Sequence, residues 1–434
     1  MIFDLPPILG LIPLVVYIIL AFNKKIHAFV NVVICVIIGG ILTRADLLKL
    51  GSIMWNSLGS FLGLVGLIIM LGSGLGLMLK ETGIAEFIVY TMMKKIGVNT
   101  MNRSILATML TSMTMVFLLN TLTGGNAVIA PIIIPLVASV GMTSSTLAAV
   151  LQAAGVTGLF LSPFSPPMVV MMQITGLPYG QILLYASLPV CIPMWIITYI
   201  NAKRIQKKTV GIDDYPQGTA LEVKEYVATP ETKLATLFFS LAIVASMAYG
   251  IINKVGVTHA VTVIAVSAVA AGIGARFSVQ RIFDTIMKGC GQYVWLFFMF
   301  IMFDPFLSFI AKSGAFDAIL ELTRPLIDAT GKFGVTFVST IISIFSIQGA
   351  AVAQALMMDS IFRPVVDHIG LSMHTWALVI LISSQMTSFA YPGLDIFAAM
   401  GIARTTNIKP MLMNGWSIII AILVVLAGSI ILVG

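Results

Sequence analysis

Long apolar runs alternate with short polar, Gly-containing or Pro-containing breaks along the whole chain. Several runs approach the length of a bilayer-spanning helix, about 20 residues, and predict plain transmembrane helices. These runs cover residues 8–22, 28–43, 57–79, 181–202, 234–252, 260–275, 289–310 and 411–433. A shorter amphipathic piece at 84–96 predicts a helix that lies in the membrane interface, and a short piece at 315–322 matches it in the second half.

The apolar stretches 103–140 and 333–366 carry polar residues at their centres. The centre of the first, residues 120–126, contains two Asn, two Thr and two Gly, and the centre of the second reads Ser346-Ile347-Gln348-Gly349. Unpaired amide and backbone groups in hydrocarbon cost several kcal/mol each, so they are tolerated only inside protein or beside a wet cavity. Each stretch therefore predicts a re-entrant hairpin, and we expect the first turn at 121–126.

Two other stretches, 143–176 and 373–403, are too long for one straight span and contain proline near their centres. The first is interrupted at Ser162-Pro163-Phe164-Ser165-Pro166-Pro167, and the second at Ser388-Phe389-Ala390-Tyr391-Pro392-Gly393-Leu394-Asp395. Proline removes a backbone donor and clashes with the preceding turn. Each stretch therefore predicts a discontinuous helix.

The two halves of the chain repeat the same order of plain, amphipathic, hairpin and broken segments, and one constant shift places Pro135 on Pro364 and Pro163 on Pro392. We expect an internal duplication with a first repeat at 1–202, a linker loop at 203–233 and a second repeat at 234–434. Each half holds an odd number of full spans, so the second half inserts inverted. The predicted fold is an all-α polytopic membrane protein of about ten spans plus two re-entrant hairpins.

The basic residues set the orientation of these spans. If both termini lie outside, most of the 24 Lys and Arg fall on the cytoplasmic side, as the positive-inside rule requires. The linker is then cytoplasmic, and the two hairpins enter from opposite faces. Their tips should meet near the membrane midplane, where inverted-repeat transporters bind their solutes.

Composition supports this class of protein, because 59% of the residues are hydrophobic and 9% are charged, against about 25% charged in soluble domains. The net charge of +7 resides in loops beside the spans, so it indicates topology and no nucleic-acid partner. Neither a catalytic His or Cys constellation nor a channel filter repeat is present in the sequence. We expect no enzyme, no cofactor and no resident metal.

Polar groups at the tips and breaks are the candidate ligands for a solute. A helix broken in the membrane frees N–H groups, which favour an anion, and C=O groups, which favour Na⁺ or a proton carrier. The expected substrate-binding residues are Asn120, Thr121, Thr123, Gly124, Asn126, Ser162, Ser165, Gln348, Gly349 and Tyr391. For the Ser and Thr residues, capping of the broken ends is the alternative interpretation.

Carboxylates inside the membrane are functional candidates because burying a charge is costly. Asp395 directly follows the second break and is the first candidate for ion or proton coupling, with Asp304 and Ser388 as further candidates. Capping of a helix start or a kink is the alternative for both Asp residues. Asp359 lies near Arg363 in the sequence, which predicts an ion pair or a position in the membrane interface.

These hairpins and breaks resemble the ion transporter superfamily of secondary carriers, which includes citrate, gluconate and C4-dicarboxylate permeases, divalent-anion/sodium symporters and NhaC-type sodium/proton antiporters. Its members carry a Ser-Asn-Thr-like tip and a Thr-Pro-Pro-like break in each half, and Asn120-Thr121 and Ser165-Pro166-Pro167 are similar. The second half departs from this pattern, with Gln348 at its tip and a single Pro392 at its break. The resemblance implies a homodimer with a scaffold part and an elevator-like transport part. The expected location is a bacterial inner membrane.

The main functional hypothesis is symport of a small organic carboxylate anion with Na⁺ or H⁺ as the coupling ion. The alternative is a Na⁺/H⁺ antiporter in which Asp395 binds each ion in turn, and an amino-acid/cation symporter is a third possibility. The absence of Lys and Arg from the tips and breaks favours the antiporter. The amide-rich first tip and the resemblance favour the symporter.

Overall fold

The chain is described by a computed structural model that covers residues 6–21, 26–46, 49–219, 227–253, 255, 257–345 and 351–432. Within these residues every regular element is helical. Seven of the described helices are long and apolar enough to cross a membrane, and shorter apolar helices accompany them. The prediction of an all-α, multi-pass membrane protein is confirmed, and the number of crossings stays a prediction.

In the described part of the first half, a 3₁₀ turn at Pro7–Leu11 is followed by eleven helices. They are α1 (Ile12–Ala21), α2 (Ala28–Leu42), α3 (Leu50–Leu58), α4 (Phe61–Glu81), α5 (Ile84–Ile96), α6 (Met101–Leu119), α7 (Leu122–Ala138), α8 (Ser144–Leu161), α9 (Pro166–Thr175), α10 (Tyr179–Ile182) and α11 (Leu188–Thr209). A π-helical turn at Leu183–Ser187 joins the last two.

The described residues of the second half form ten helices in a similar order. They are α12 (Pro230–Ile252), α13 (His259–Gly274), α14 (Val279–Gly291), α15 (Val294–Lys312), α16 (Ala315–Ile344), α17 (Ala351–His368), α18 (Met373–Gln385), α19 (Thr387–Ala390), α20 (Leu394–Ala403) and α21 (Lys409–Leu432).

Side-chain caps fix the starts of five helices around the two predicted breaks and the first hairpin. Thr100, Thr121, Thr143 and Ser165 each accept a hydrogen bond from the backbone N–H three residues later, at the starts of α6, α7, α8 and α9. Ser372 does the same for α18. Ser and Thr are favoured at this position because their oxygen satisfies an N–H that has no partner within the helix.

The helices pack into two groups. The scaffold group consists of α1–α4 and α12–α15, and the site group consists of α6–α11 and α17–α21. Two elements at equivalent places in the two halves, α5 and α16, contact both groups.

Glycine allows close packing within the scaffold group. A Cβ added to Gly289 in α14 would lie 2.6 Å from the Cα of Gly74 in α4, so the two backbones are in direct contact. The Ser73 hydroxyl donates a hydrogen bond to the Gly289 carbonyl at 2.9 Å across the same contact. Small residues permit this approach between membrane helices.

Contacts between the two halves are reciprocal. α2 contacts α15, and α4 contacts α13. α7 contacts α20, and α9 contacts α17. α8 contacts α20, and α9 contacts α18. Left-handed residues also recur at matching helix ends. The matching pairs are Arg44 and Arg276, Gly83 and Gly314, Gly141 and Gly370, and Gly176 and Arg404. A two-fold relation between the halves would produce this pattern, which supports the proposed duplication.

The linker residues 210–219 hold the ends of two site-group helices together. The Asp213 carboxylate accepts hydrogen bonds from the hydroxyl of Ser145 in α8 (2.5 Å) and from the amide of Asn407 after α20 (2.8 Å). The Tyr215 hydroxyl donates to the last carbonyl of α20 at 2.9 Å. Burial raises the pKa of Tyr215, so its hydroxyl stays protonated and remains a donor.

Several helix bounds differ from the sequence predictions. Amphipathic α3 and α14 lie in segments that the apolar pattern left unassigned, because their polar residues interrupt it. The predicted short piece at 315–322 is the start of α16, which continues into the first arm of the second hairpin with a bend at Gly331 (φ 58°). α11 continues to Thr209 through the basic residues of the predicted linker, since Lys, Arg and Gln are good helix formers.

Candidate functional site

A cavity of about 660 Å³ lies between the scaffold group and the site group. One wall comes from α4, α5 and the start of α15 with the loop before it, and the other from the first hairpin tip, both breaks and the start of α17. The lining combines hydroxyl, carboxamide and carboxylate groups with aromatic and aliphatic side chains. This volume and this mixture are typical of small-solute sites.

The first hairpin tip forms part of this wall, but its turn is shorter than predicted. α6 ends at Leu119, and the following residue, Asn120, adopts the left-handed conformation (φ 53°) that Asn tolerates better than most residues. Thr121 then caps α7, so Thr123 and Gly124 already belong to the first turn of that helix. The predicted extent of the turn is wrong, yet all four residues line the cavity.

Asn126 is buried between the hairpin and α8 and does not line the cavity. Its amide donates to the Leu151 carbonyl (2.9 Å), and its oxygen accepts a hydrogen bond from the Ser112 hydroxyl (2.6 Å). Gln354 has a similar role in the second half, where it donates to main-chain carbonyls of α16 and α18, that of Ser343 at 2.6 Å. Both amides therefore connect a hairpin to a discontinuous helix.

We expect Asn126→Leu to lower the free energy of unfolding by about 1–3 kcal/mol, because it removes the two hydrogen bonds of the buried amide. The Ser112 hydroxyl and the Leu151 carbonyl then keep only the longer bond of 3.2 Å between them. Thermal melting of the detergent-purified protein measures this loss. The comparison variant is Thr123→Val, since Thr123 is exposed in the cavity and its replacement leaves no buried polar group unpaired. A loss at Asn126 no larger than that at Thr123 would contradict a packing role.

The first break is closed by its own side chains. The hydroxyl of Ser162, which follows α8, donates to Asn120 Oδ1 at 2.8 Å. The Ser165 hydroxyl donates to the Leu159 carbonyl at 2.5 Å, and the Tyr179 hydroxyl donates to the last carbonyl of α8 at 2.8 Å. Ser162 and Ser165 are buried and do not line the cavity. The released carbonyls of this break are thus largely satisfied within the protein.

The second break opens into the cavity. α20 begins behind Gly393, which has no side chain to cap the helix. Asp395, in the first turn of α20, accepts a hydrogen bond from the Ser388 hydroxyl at 2.5 Å, and both residues line the cavity. Tyr391, between them in sequence, is not part of the lining. The fold thus brings together two of the three residues expected to couple ions, and their role in coupling stays a prediction.

Two other intramembrane carboxylates lie outside the cavity. Asp304 accepts a hydrogen bond from the Ser57 hydroxyl at 2.7 Å within the scaffold group. Asp359 forms an ion pair with Arg363 at 3.3 Å and accepts a hydrogen bond from the Trp376 indole at 2.7 Å. The predicted Asp359–Arg363 pair is confirmed, and Asp304 is separate from the second break.

The second hairpin reaches the same cavity through its returning arm. Gln348 and Gly349, which were expected to bind substrate, lie outside the described residues. Directly after them, Ala351, Val352 and Ala353 in the first turn of α17 line the cavity. The second hairpin therefore contributes to the same site as the first.

The starts of α7, α9, α17 and α20 all lie at this cavity. They form two pairs, α7 with α17 and α9 with α20, that hold matching places in the two halves. A helix start carries a partial positive charge of about half an elementary charge. The start of α9 offers no N–H in its first two positions, because they are Pro166 and Pro167. The carboxylates of Asp395 and Glu86 line the same space, so the cavity presents both signs of charge.

Sequence reasoning missed several polar residues of this region. Lys80 and Glu86 are exposed in the cavity, and Gln385 lines it at the end of α18. Gln152 in α8 donates to the Ser388 carbonyl at 2.7 Å, which joins the first half to the second break. An isolated amide in an apolar run was the available signal for both Gln residues.

Comparison with known proteins adds one match. No curated protein matches the chain. The model of the Na⁺/H⁺ antiporter family matches residues 6–202, which contain the first hairpin and the first break but not Asp395. The first half of this membrane protein is thus similar to a family of antiporters, which supports a secondary carrier and favours the antiporter alternative over carboxylate symport.

Proposed function

We propose that the protein is a secondary transporter that exchanges Na⁺ for H⁺, and that Asp395 binds the two ions alternately. The observation that carries this proposal is the position of Asp395, whose carboxylate lines the cavity at an uncapped helix break. An intramembrane carboxylate that reaches a wet cavity can lose and regain a proton. The family match to the first half supports the same class of transport.

Exchange follows from competition at one carboxylate. Protonated Asp395 is neutral and has little attraction for a cation, whereas ionised Asp395 attracts Na⁺. The Ser388 hydroxyl, now 2.5 Å from the carboxylate, can rotate to present its oxygen to the ion, since Na⁺ is a hard cation that takes oxygen ligands. Because the site holds either H⁺ or Na⁺ at one time, protons that flow down their gradient drive Na⁺ across the membrane in the direction opposite to proton flow.

Alternating access would arise from movement of the site group against the scaffold group, since the cavity lies between them. In the orientation with both termini outside, the Lys80 end of α4 faces the cytoplasm. We therefore propose that the structure represents the state in which the cavity opens to the cytoplasm. A homodimer that holds the two scaffold groups still, as the superfamily resemblance implies, is part of this proposal.

Ion exchange can be measured with the purified chain in proteoliposomes that contain a pH-sensitive dye. With the membrane potential clamped at zero and the lumen acidic, external Na⁺ should raise the luminal pH, whereas external choline should not. Empty liposomes control for passive leak. If folded protein gives the same pH trace with Na⁺ and with choline, the proposed exchange is wrong.

A further inference from the structure

Proline deprives one main-chain carbonyl of its usual helical partner at each break. In an α-helix a carbonyl accepts a hydrogen bond from the N–H four residues later, and proline has no N–H. Pro163 therefore leaves the Leu159 carbonyl of α8 without that donor, and Pro392 does the same to the Ser388 carbonyl of α19. An unpaired carbonyl within a membrane protein is costly, so each break needs a donor from elsewhere.

At the first break this donor is local. The Ser165 hydroxyl donates a hydrogen bond to the Leu159 carbonyl at 2.5 Å. Ser165 lies only two residues after the proline that creates the unpaired carbonyl. The first break therefore needs no group from the second half to satisfy this carbonyl.

At the second break the donor comes from the other half of the chain. The constant shift that aligns the two halves places Ser165 on Leu394, whose side chain cannot donate a hydrogen bond. The Ser388 carbonyl instead accepts a hydrogen bond from the Gln152 amide of α8 at 2.7 Å. The same shift places Gln152 on Leu381, so the second half offers no equivalent amide to the first break. This bond between the halves thus runs in one direction only.

Gln152 fixes the residue that contacts the proposed ion-binding carboxylate. Ser388 accepts the Gln152 hydrogen bond with its carbonyl, while its hydroxyl donates to the Asp395 carboxylate at 2.5 Å. Gln152 is 1% exposed and does not line the cavity. It therefore acts on the cavity only through Ser388, by setting the direction of the Ser388 main chain and hence of its hydroxyl.

We infer that Gln152 is a positioning residue for the ion site, so that the first half of the chain sets the Na⁺ affinity of a site in the second half. The inference rests on the proposed function, since Asp395 and Ser388 are the proposed ion ligands. Without the amide, the Ser388 main chain turns to find another donor for its carbonyl. Its hydroxyl oxygen and the Asp395 carboxylate then no longer converge on one ion, and small misplacements of this kind weaken a binding site markedly.

Gln152→Met tests this role, because methionine is close to glutamine in volume and cannot donate a hydrogen bond. Proteoliposomes that contain the full chain are assayed for Na⁺-dependent proton movement over a range of external Na⁺ concentrations. The KM for Na⁺ should rise by about tenfold, while the maximal rate at saturating Na⁺ is largely kept. A purely structural role would lower the maximal rate and the yield of folded protein but leave the KM unchanged.

Gln206→Met is the matched control. Gln206 in α11 is also buried and donates to a main-chain carbonyl, that of Gly141, at 2.7 Å, but it does not line the cavity. This variant should keep the wild-type KM for Na⁺. If Gln152→Met does not yield monodisperse protein, Gln152→Asn, whose amide is one methylene shorter, should show the same rise in KM. The inference is overturned if the KM is unchanged in the Gln152 variant, or if Gln206→Met raises it equally.

Na⁺-dependent thermal stabilisation in detergent, with choline chloride as the reference salt, separates this inference from the proposed exchange. If Na⁺ stabilises the wild type at lower concentrations than it stabilises Gln152→Met, the positioning role holds even where no protons move, and only the exchange is rejected. Exchange with an unchanged Na⁺ affinity in Gln152→Met would reject only the positioning role. A wild type that neither binds nor exchanges Na⁺ would overturn both.

Discussion

Asp395→Asn is expected to abolish Na⁺-dependent proton movement in proteoliposomes while leaving the protein folded. The asparagine amide does not titrate and carries no charge, so it can neither release a proton nor attract Na⁺. Its oxygen can still accept the hydrogen bond that Ser388 now donates to the carboxylate. The exchange rate should therefore fall by about two orders of magnitude or more, with a change in unfolding free energy of about 1 kcal/mol or less.

Asp304→Asn is the matched control for this experiment, because it makes the same substitution at another intramembrane carboxylate. Asp304 bonds to Ser57 in the scaffold group and does not line the cavity, so exchange should be retained. Measuring proton movement and melting temperature for both variants separates lost coupling from lost folding. Exchange that survives in Asp395→Asn and disappears in Asp304→Asn would reverse the assignment of the ion site.

Gly158→Ala should severely destabilise the protein, because α8 lies directly against α6 at this point. A Cβ on Gly158 would lie 2.4 Å from the Met113 carbonyl oxygen and 2.6 Å from the Phe117 backbone nitrogen. Backbone atoms cannot move aside without separating the two helices, so the cost should reach about 1–3 kcal/mol or more. The same separation would disturb the contact between Ser162 and Asn120 that closes the first break.

The melting temperature and the monodisperse yield in detergent measure this effect. Gly428→Ala in α21 is the matched control, because no atom lies within 4 Å of an added Cβ there. That substitution should be neutral or stabilising by up to about 1 kcal/mol, since alanine favours the helix. Equal melting temperatures for the two alanine variants would show that α6 and α8 are not packed as described.

The helix breaks and the turn between α6 and α7 could be predicted because they depend on local chemistry, whereas the turn of the second hairpin lies outside the described residues. The Pro-containing interruptions at 162–167 and 388–395 and the pair Asn120-Thr121 all fall at helix ends. Pro131, Pro135 and Pro193 lie inside helices, so proline alone does not mark a break. The same reasoning selected Asp395 and Ser388, which the fold brings together at the cavity. Gly74, in the Gly-rich run 57–79, lies at the close contact between α4 and α14.

Other features depend on packing between distant segments, which one sequence does not reveal. Asn126 belongs to the polar cluster that was predicted to bind a solute. The orientation of α7 about its axis instead places Asn126 against α8, where it bonds to the Leu151 carbonyl. Ser165 has the same sequence signal whether it binds a solute or caps a helix, and here it caps α9. Gln385 and Lys80 join the site only because the site group faces α4 across the cavity.

The reciprocal contacts between the halves also constrain how the protein is made. α8 is the most buried of the membrane-length helices, and α20, α21 and α11 supply part of its surroundings. During synthesis the first half leaves the ribosome before α20 and α21 exist. Gln152 in α8 therefore has no Ser388 carbonyl to bond to at that stage. Completion of the site must await insertion of the final helices, so the site assembles last.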